Sequence, residues 1–414
     1  MTTATAMPLP RPPLRLVHKA SRLFKRGPAV ILREWRKRKL RADFLRGSSD
    51  SGRSVPAEEA DPGIVETGQV LRQELLTAYE GKYAASGYRV MMLRPGSITA
   101  EIWFGDLAQA MRHAGIDCRV LPVDAPTGDI NAAFDAFQPN VFIATEAPEG
   151  LRTADLTFIQ RYKNDRGCLR MLIPVWHAKA PWGRCTPQQD EWRRGLRRNG
   201  LLADAHFSIF EPEFHDRFSR DSIGPAIDYV AVPQACNPFV DFPVHAVKRH
   251  DYFLAASMTD ERVEVSYRFL RPILGRYSGL WAGPRWGFGT ERIPPAEMPL
   301  HYAQTRIALS PLVGFVHQYG AELTHRVYAG AACGTFQLTM PTAVTDRFFR
   351  PDELVQAASP KEYARLFDHY VYRPLERNAI ALAALRRVYG EHTCFHRIDK
   401  LVRHWEDWRR RGLF

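Results

Sequence analysis

From Tyr88 onward, apolar and polar positions alternate in blocks. "YRVMMLR", "DCRVLPVD", "NVFIATE", "RMLIPVW", "HFSIFEP" and "IDYVAVP" are short apolar runs bounded by turn residues, which is the pattern of buried strands. Stretches with helical spacing lie between most of them, one from about Ala100 to Gly115 and a shorter one around Ile130 to Phe137. Strands separated by helix-length segments imply βαβ units and a parallel sheet. "NPFVDFPVHAVKRH" then breaks the rhythm with two prolines and reads as a hinge. The alternation restarts with the strand "YFLAAS" and the helix "DERVEVSYRFLRPILGRY", for which Asp260 is the expected N-cap. "GLWAGP", "RIALSP", "TFQLTM" and "ELVQAA" are further strands. Only helices follow: around Glu362 to Tyr370, from Pro374 to Tyr389 with Gly390 as its stop, and from Thr393 to the end. The predicted class is α/β, with two doubly wound Rossmann-like domains facing a cleft and a helical C-terminal tail. The expected boundaries are an N-terminal extension (1–60), a first domain (61–237), a hinge (238–249), a second domain (250–390) and a final helix (391–414). In such folds ligands bind beyond the carboxyl ends of the strands, here in the cleft between the domains.

Composition narrows the class. The chain has 414 residues, of which 45% are hydrophobic and 25% charged, as in a soluble globular protein. No window approaches the ~20 apolar residues of a membrane span, and no secretory signal is evident. The six cysteines, Cys118, Cys168, Cys185, Cys236, Cys333 and Cys394, form no C-x-x-C pair and read as reduced core thiols in a cytoplasm.

Charge is placed unevenly. Thirteen basic residues lie between Arg11 and Arg46, opposed only by Glu34 and Asp43, so this segment holds nearly all of the net +12. A nucleic-acid-binding body would carry its basic patch on the fold itself, so nucleic acid is not the expected partner. The Pro-rich start reads as disordered and residues 47–63 as a polar linker. The basic stretch between them suits an interfacial helix on an anionic membrane, with Leu16, Leu23, Phe24, Ile31 and Trp35 as apolar contacts. A solvated tail or a helix packed on the body is the alternative.

One stretch stands out for small side chains: "HRVYAGAACGTFQLT", His325 to Thr339. A run from Ala329 to Thr335 this poor in apolar area implies close approach by another element or by a ligand. Neither G-x-G-x-x-G nor G-x-x-x-x-G-K-[ST] occurs, so no dinucleotide or Walker-type site is indicated. No D-x-D pair is present to hold a metal-bound nucleotide diphosphate.

The block from Ala321 to Val402 resembles the C-terminal domain of glycosyltransferases of the group 1 type, and most closely the spore-coat CgeB-type glycosyltransferase-like branch. The residues carrying the likeness are Arg326-Val327-Tyr328 with Ala332-Cys333-Gly334, the strand Phe336 to Thr339, Phe349-Arg350-Pro351, and His392-Thr393-Cys394-Phe395-His396-Arg397. "YFLAASMTDERVE" and "GLWAGPRW" fit the opening strands of that domain. The resemblance covers Asp251 to Leu401 and implies a two-domain GT-B fold with the acceptor on the first domain and a nucleotide sugar on the second. The last helix would cross back to the first domain. Retention of anomeric configuration, with no protein nucleophile, is also implied. In this family a Glu follows the aromatic residue of the small helix and contacts the ribose, whereas here that position is Ala329. Glu322 is nearby but about two helical turns out of register.

A helix N-terminus carries about half a positive charge and free N–H groups, which suits a diphosphate. Thr324, His325 and Arg326 are placed there, and the small face would admit a ligand. The expected donor-binding set is Arg262, Gly283, Arg285, Thr324, His325, Arg326, Tyr328 and Gly334. For Gly283 and Pro284 together, a turn without a ligand is the alternative to a nucleotide contact. No metal and no cofactor are expected, because arginines and the helix dipole can neutralise a leaving diphosphate. His177, in "IPVWHAKAPWG", is the candidate general base, against the alternative of an ordinary loop histidine. Lys179, Gly96 and Ser97 are the other acceptor-side candidates. "HTCFHR" invites a metal reading, but only His392 and His396 could share a helix face and no partner motif exists. Trp405 and Trp408 share a face and should pack inward.

These readings converge on a metal-independent, GT-B, hexosyltransferase-type enzyme, cytoplasmic or peripheral at the inner face of the plasma membrane. It would transfer sugar from a nucleotide sugar to a glycan or lipid-linked acceptor in polysaccharide biosynthesis. A non-catalytic GT-B-like nucleotide- or glycan-binding scaffold is the alternative, with Ala329 as its argument.

Overall fold

The computed structural model describes residues 28–49, 55, 58–94, 98–122, 124–145, 153–173, 204–209, 211, 228–311 and 322–412. In chain order, α1 (Pro28–Ser49) and α2 (Pro62–Tyr79) precede the first sheet. That sheet comprises β1 (Arg89–Arg94), β2 (Asp117–Pro122), β3 (Val141–Thr145), β4 (Leu169–Ile173), β5 (Ala205–Ser208) and β6 (Asp228–Ala231). Helices α3 (Ile98–His113), α4 (Thr127–Phe137) and α5 (Thr153–Arg166) alternate with its strands. All neighbouring strands are parallel, in the order β2-β1-β3-β4-β5-β6. β1 is apolar almost throughout because a parallel sheet is covered on both faces.

The second sheet holds β7 (His250–Ala255), β8 (Gly279–Ala282), β9 (Thr305–Ser310), β10 (Gln337–Thr339) and β11 (Val355–Gln356), again all parallel, in the order β11-β10-β9-β7-β8. The helices between them are α6 (Asp260–Phe269), α7 (Arg271–Leu274), α8 (Met298–Ala303), α9 (His325–Ala332) and α10 (Thr345–Phe348). Helices α11 (Pro360–Val371), α12 (Pro374–Glu391) and α13 (Cys394–Arg410) complete the chain. The chain leaves β1 for β2 and then returns to β3 on the other side, and it leaves β7 for β8 before returning to β9. Each sheet therefore has a switch point at the carboxyl ends of these strands, where ligands of such sheets lie.

Three boundaries differ from expectation for identifiable reasons. The long helix expected after β7 divides at Leu270, since Pro272 cannot continue the hydrogen-bond ladder. Its cap is Thr259, not Asp260, and the Thr259 Oγ1 accepts the Arg262 N–H at 3.2 Å. Gly390 does not end α12, which runs one residue further, to Glu391.

The basic N-terminal segment is not a free tail where it is described. α1 lies on α6 and α7, with Leu40 buried and Phe44 against Trp281 and Phe288. Arg33 pairs with Asp260 at 2.7 Å, Arg36 with Glu264, and Arg271 with Asp43 at 2.7 Å. Gly47 is obligatory at the close approach, because a Cβ there would meet the Leu274 carbonyl oxygen at 2.0 Å. Residues 58–60 also lace onto the second domain: Glu58 sits between Arg306 and Arg377, both buried.

Two helices join the domains. α2 packs Ile64 and Gly68 against the second domain and Tyr79 into the first, where its ring stacks on Phe395 at 4.6 Å. α13 crosses back as expected and buries Phe395, Ile398, Leu401, Val402, Trp405 and Trp408 against β1 and α3. His392 and His396 at its start have structural partners, the Phe348 carbonyl at 2.8 Å and the Thr393 hydroxyl at 2.7 Å. The five cysteines within the described residues are buried thiols; Cys185 lies outside them.

Trp405 is fully buried beside Tyr88. Trp405→Ala is expected to cost about 3–5 kcal/mol, the range for a large aromatic side chain removed from a core. Urea unfolding checks this, and a loss below about 1 kcal/mol would mean that α13 is not an integral part of the first domain.

Candidate functional site

The carboxyl end of β7 faces α3 across the cleft, and the start of α9 closes the gap from the second domain. The space has two lobes, one of about 280 Å³ and one of about 630 Å³. Ile102, Asp106, Ala255, Ala256, Ser257, His325 and Arg326 line both, so they mark the junction. Trp103, Gln234, Arg262, Glu322, Thr324 and Arg397 belong to the smaller lobe. Gly283, Pro284, Glu291, Arg292, Met298, Tyr302 and Ala329 wall the larger one.

Two guanidinium groups dominate the junction side. Arg326 Nη1 donates to the Ala255 carbonyl at 2.7 Å, and Arg262 Nη1 to the Ser257 carbonyl at 2.5 Å. Neither has a carboxylate within ion-pair distance among the described residues. Burial, together with the neighbouring Arg326 charge, pushes Arg262 down to about 9; burial also lowers Arg326. Two half-buried cations with no carboxylate partner among the described residues are costly, and an arriving anion would relieve that cost.

Opposite them sits an acidic cluster. Asp106 of α3 accepts from Asn237 Nδ2 at 2.8 Å, and Asp241 accepts the Asn237 backbone N–H at 2.8 Å. The His325 Nε2 lies 3.6 Å from Asp106 Oδ2 and 3.5 Å from Asp241 Oδ2. First domain, hinge and second domain thus meet at one imidazole. Burial pushes Asp106 up to about 7, against the pull of His325. Burial lowers the imidazole of His325, but Asp241 and Asp106 outweigh it and its pKa lies above the ordinary value. Burial alone pushes Glu322 up to about 7.

Several buried polar atoms along the smaller lobe have no hydrogen-bond partner among the described residues: Glu322 Oε2, Thr324 Oγ1 and Arg262 Nε. Buried polar atoms are nearly always paired, so these point to an oxygen-rich occupant. Trp103, stacked on Phe207 at 4.8 Å, forms an aromatic wall beside them.

The structure brings together Arg262, Gly283, Thr324, His325 and Arg326 of the expected set. It separates the other three. Tyr328 is fully buried on the far side of α9 against Phe348, Phe349 and His392, a core position. Gly334 ends α9 at φ +67°, and a Cβ there would meet Ile64 Cγ2 at 2.4 Å, so it serves packing with α2. Arg285 is exposed and lines neither lobe; its carbonyl accepts from Lys37 of α1 at 2.8 Å. Gly283 is required by backbone, with φ +140° and the Ala256 carbonyl 1.9 Å from a Cβ at that position. His177, Lys179, Gly96 and Ser97 lie outside the described residues. The α9 start is also less open than the sequence suggests, since the His325 N–H donates to the Gln234 side chain. Asp106, Gln234, Asn237, Asp241 and Arg397 carry no motif that singles them out as cleft residues, apart from Arg397 closing "HTCFHR".

Residues 262–403 match a family model described as glycosyl transferase-like. No curated protein matches the chain in sequence. Among solved structures, sucrose-phosphate synthase from Thermosynechococcus elongatus superposes with a TM-score of 0.55 at 10% identity, over 78% of this chain and 98% of that one. The Anabaena protein HepE in complex with UDP and glucose gives 0.52 at 8% identity, over 77% and 100%. T4 phage BGT in complex with its UDP-glucose substrate gives 0.51 at 11% identity, over 78% and 99%. At such identities the likeness establishes the fold, which is the expected GT-B arrangement. The matched segment lies in the second domain and the helix that leaves it.

The raised pKa of Asp106 fixes a sign. An unfolded Asp ionises near its ordinary value of 3.8 and the folded one at about 7, so the native state binds the extra proton between them. Its contribution to stability is therefore present at low pH and lost as pH rises through about 7. Asp106→Asn is expected to gain stability relative to the parent as pH goes from 4 to 8. Urea titrations across that range check it, and a pH-independent difference would refute it.

Proposed function

We propose that the chain is a glycosyltransferase that moves a sugar from a nucleotide sugar to a glycan or lipid-linked acceptor, in assembly of a cell-surface polysaccharide or glycoconjugate. One observation carries the reading: two guanidiniums with no carboxylate partner among the described residues, Arg262 and Arg326, stand at the carboxyl end of β7 beside the start of α9. A diphosphate links nucleoside to sugar, and the junction links the larger lobe to the smaller one. The order of parts in the ligand and in the cleft is the same. The sugar then lies in the smaller lobe, where Glu322 and Thr324 have free capacity for hydroxyl groups and Trp103 offers a ring face.

The chemistry is a displacement at the anomeric carbon. The bond from that carbon to the diphosphate oxygen breaks, and a bond to the acceptor oxygen forms. In a retaining step the acceptor proton passes to the departing phosphate oxygen. Arg262, Arg326 and the α9 N-terminus oppose the charge that builds on the leaving group, which is how a site of this kind works without a metal. The CgeB-type branch and the retaining outcome are parts of this proposal.

Ala329 bears on the nucleoside end. It lies on an apolar wall with Ala282, Met298 and Tyr302, so no carboxylate meets a ribose from that position. Glu101, Asp106, Asp241 and Glu291 line the same lobe and supply carboxylates from other elements. Ala329 also favours the second reading, a nucleotide- or glycan-binding scaffold without turnover.

Arg326→Ala and Arg262→Ala are each expected to weaken UDP or GDP binding about 10- to 100-fold, the worth of one charge-assisted hydrogen bond. Calorimetry measures this, and unchanged affinity in both variants would remove the donor-site assignment. A panel of nucleotide sugars separates the two readings. Slow hydrolysis or transfer supports the enzyme, while tight binding with neither supports the scaffold.

A further inference from the structure

We infer that the outward face of α1 is a docking surface for an anionic lipid bilayer, and that it sets the cleft mouth beside the membrane. α1 uses one side to grip the second domain and leaves most of the other uncovered, with the Trp35 ring at its border 5.5 Å from that of Tyr267. On that outer side Ile31, Leu32 and Trp35 are 42%, 44% and 45% exposed. One to two turns further on, the same side presents Arg38, Lys39 and Arg41, all exposed. Three large apolar residues and three cations spread over the outer half of one helix are unusual for a solvated surface and match the interface of a charged bilayer.

Charge complementarity selects the occupant. Of the two acidic residues of α1, Asp43 is buried on Arg271, and Glu34, whose side chain is 36% exposed, is paired with Arg33. Against Arg38, Lys39 and Arg41 the outer side of the helix therefore keeps a net positive charge. Trp35 suits the headgroup level, and Lys39, 5.9 Å from its ring centroid, can extend toward phosphates.

Placement gives the surface a purpose. Arg33 is tied to Asp260, which follows the Ser257 rim of the cleft, and Lys37 is tied to the Arg285 carbonyl, next to Pro284 of the larger lobe. The apolar end of α1 thus stands at the second domain's edge of the cleft. A bilayer held there brings lipid-anchored molecules to the opening. This last step rests on the transferase reading, whereas the docking itself does not.

The test uses the full chain and vesicles, without nucleotide sugar. Vesicles of phosphatidylcholine with 30% phosphatidylglycerol are compared with pure phosphatidylcholine in a flotation assay. The protein is expected to float with the anionic vesicles, to be released as salt is raised to about 0.5 M, and to ignore the neutral ones. Arg38→Glu/Lys39→Glu/Arg41→Glu should lower partitioning about 100-fold or more, since each basic group near such a surface contributes about a factor of five. Ile31→Ser/Leu32→Ser/Trp35→Ser should lower it at least tenfold, and an unchanged melting temperature shows that α1 still packs. Failure of the parent protein to float, or flotation unaffected in both folded variants, overturns the proposal. So does equal binding to duplex DNA lost through the same substitutions, which would make the strip a general polyanion site. None of these outcomes touches the donor-site assignment, which nucleotide binding tests separately.

Discussion

The cleft depends on a short backbone pairing where the chain crosses between domains for the second and third times. The Cys236 N–H donates to the His392 carbonyl at 3.0 Å, and the Cys394 N–H donates back to the Cys236 carbonyl at 2.9 Å. These bonds tie the hinge to the start of α13. They fix where the final helix leaves the second domain, and hence how it lies on β1 and α3. Arg397, one turn along, holds the same junction by donating to the Pro233 and Gln234 carbonyls at 2.9 and 3.2 Å. Gln234 in turn accepts the His325 N–H at the start of α9. Hinge, last helix and donor-side helix are therefore one hydrogen-bonded unit, and the cleft walls inherit its geometry.

Much of this architecture was legible in the chain because parallel strands buried on both faces leave an unmistakable apolar run. The alternation of β1 to β4 and of β7 to β10 with helices could be read directly. The return of α13 came from the resemblance, and its inward tryptophans from their spacing. What the pattern could not convey was how helices pack at a distance. α1 looks like a detached basic arm because its contacts, Arg36 with Glu264 and Arg271 with Asp43, join residues over 200 positions apart. Nothing local announces them. Helix ends were also misjudged where a single residue decides, as at Thr259 and Gly390.

The site divides along the same line. Arg326 and Thr324 could be placed at the cleft because a helix start after a buried strand is a local feature. Tyr328, two residues on from Arg326, points about 200° away from it around α9 and so faces the core instead of the cleft. Asp106 and Asp241 were invisible. They matter only because α3, the hinge and α9 converge on His325, which is a tertiary fact.

That convergence sets the electrostatics of the cleft. One side holds Arg262 and Arg326, with no carboxylate partner among the described residues, and the other holds Asp106 and Asp241 around His325. The two sets share a cavity but do not neutralise each other: the guanidiniums are committed to the Ala255 and Ser257 carbonyls, and the carboxylates to Asn237 and His325. Such separation of charge inside a protein costs energy unless a ligand uses it. A neutral occupant would gain from neither side. A ligand with a doubly charged diphosphate at one end of its reactive bond and hydroxyl donors at the other gains from both. The arginines meet its anionic part, and the carboxylates accept from its hydroxyls. For such a ligand the arrangement would be a preorganised one, its reorganisation cost met at folding.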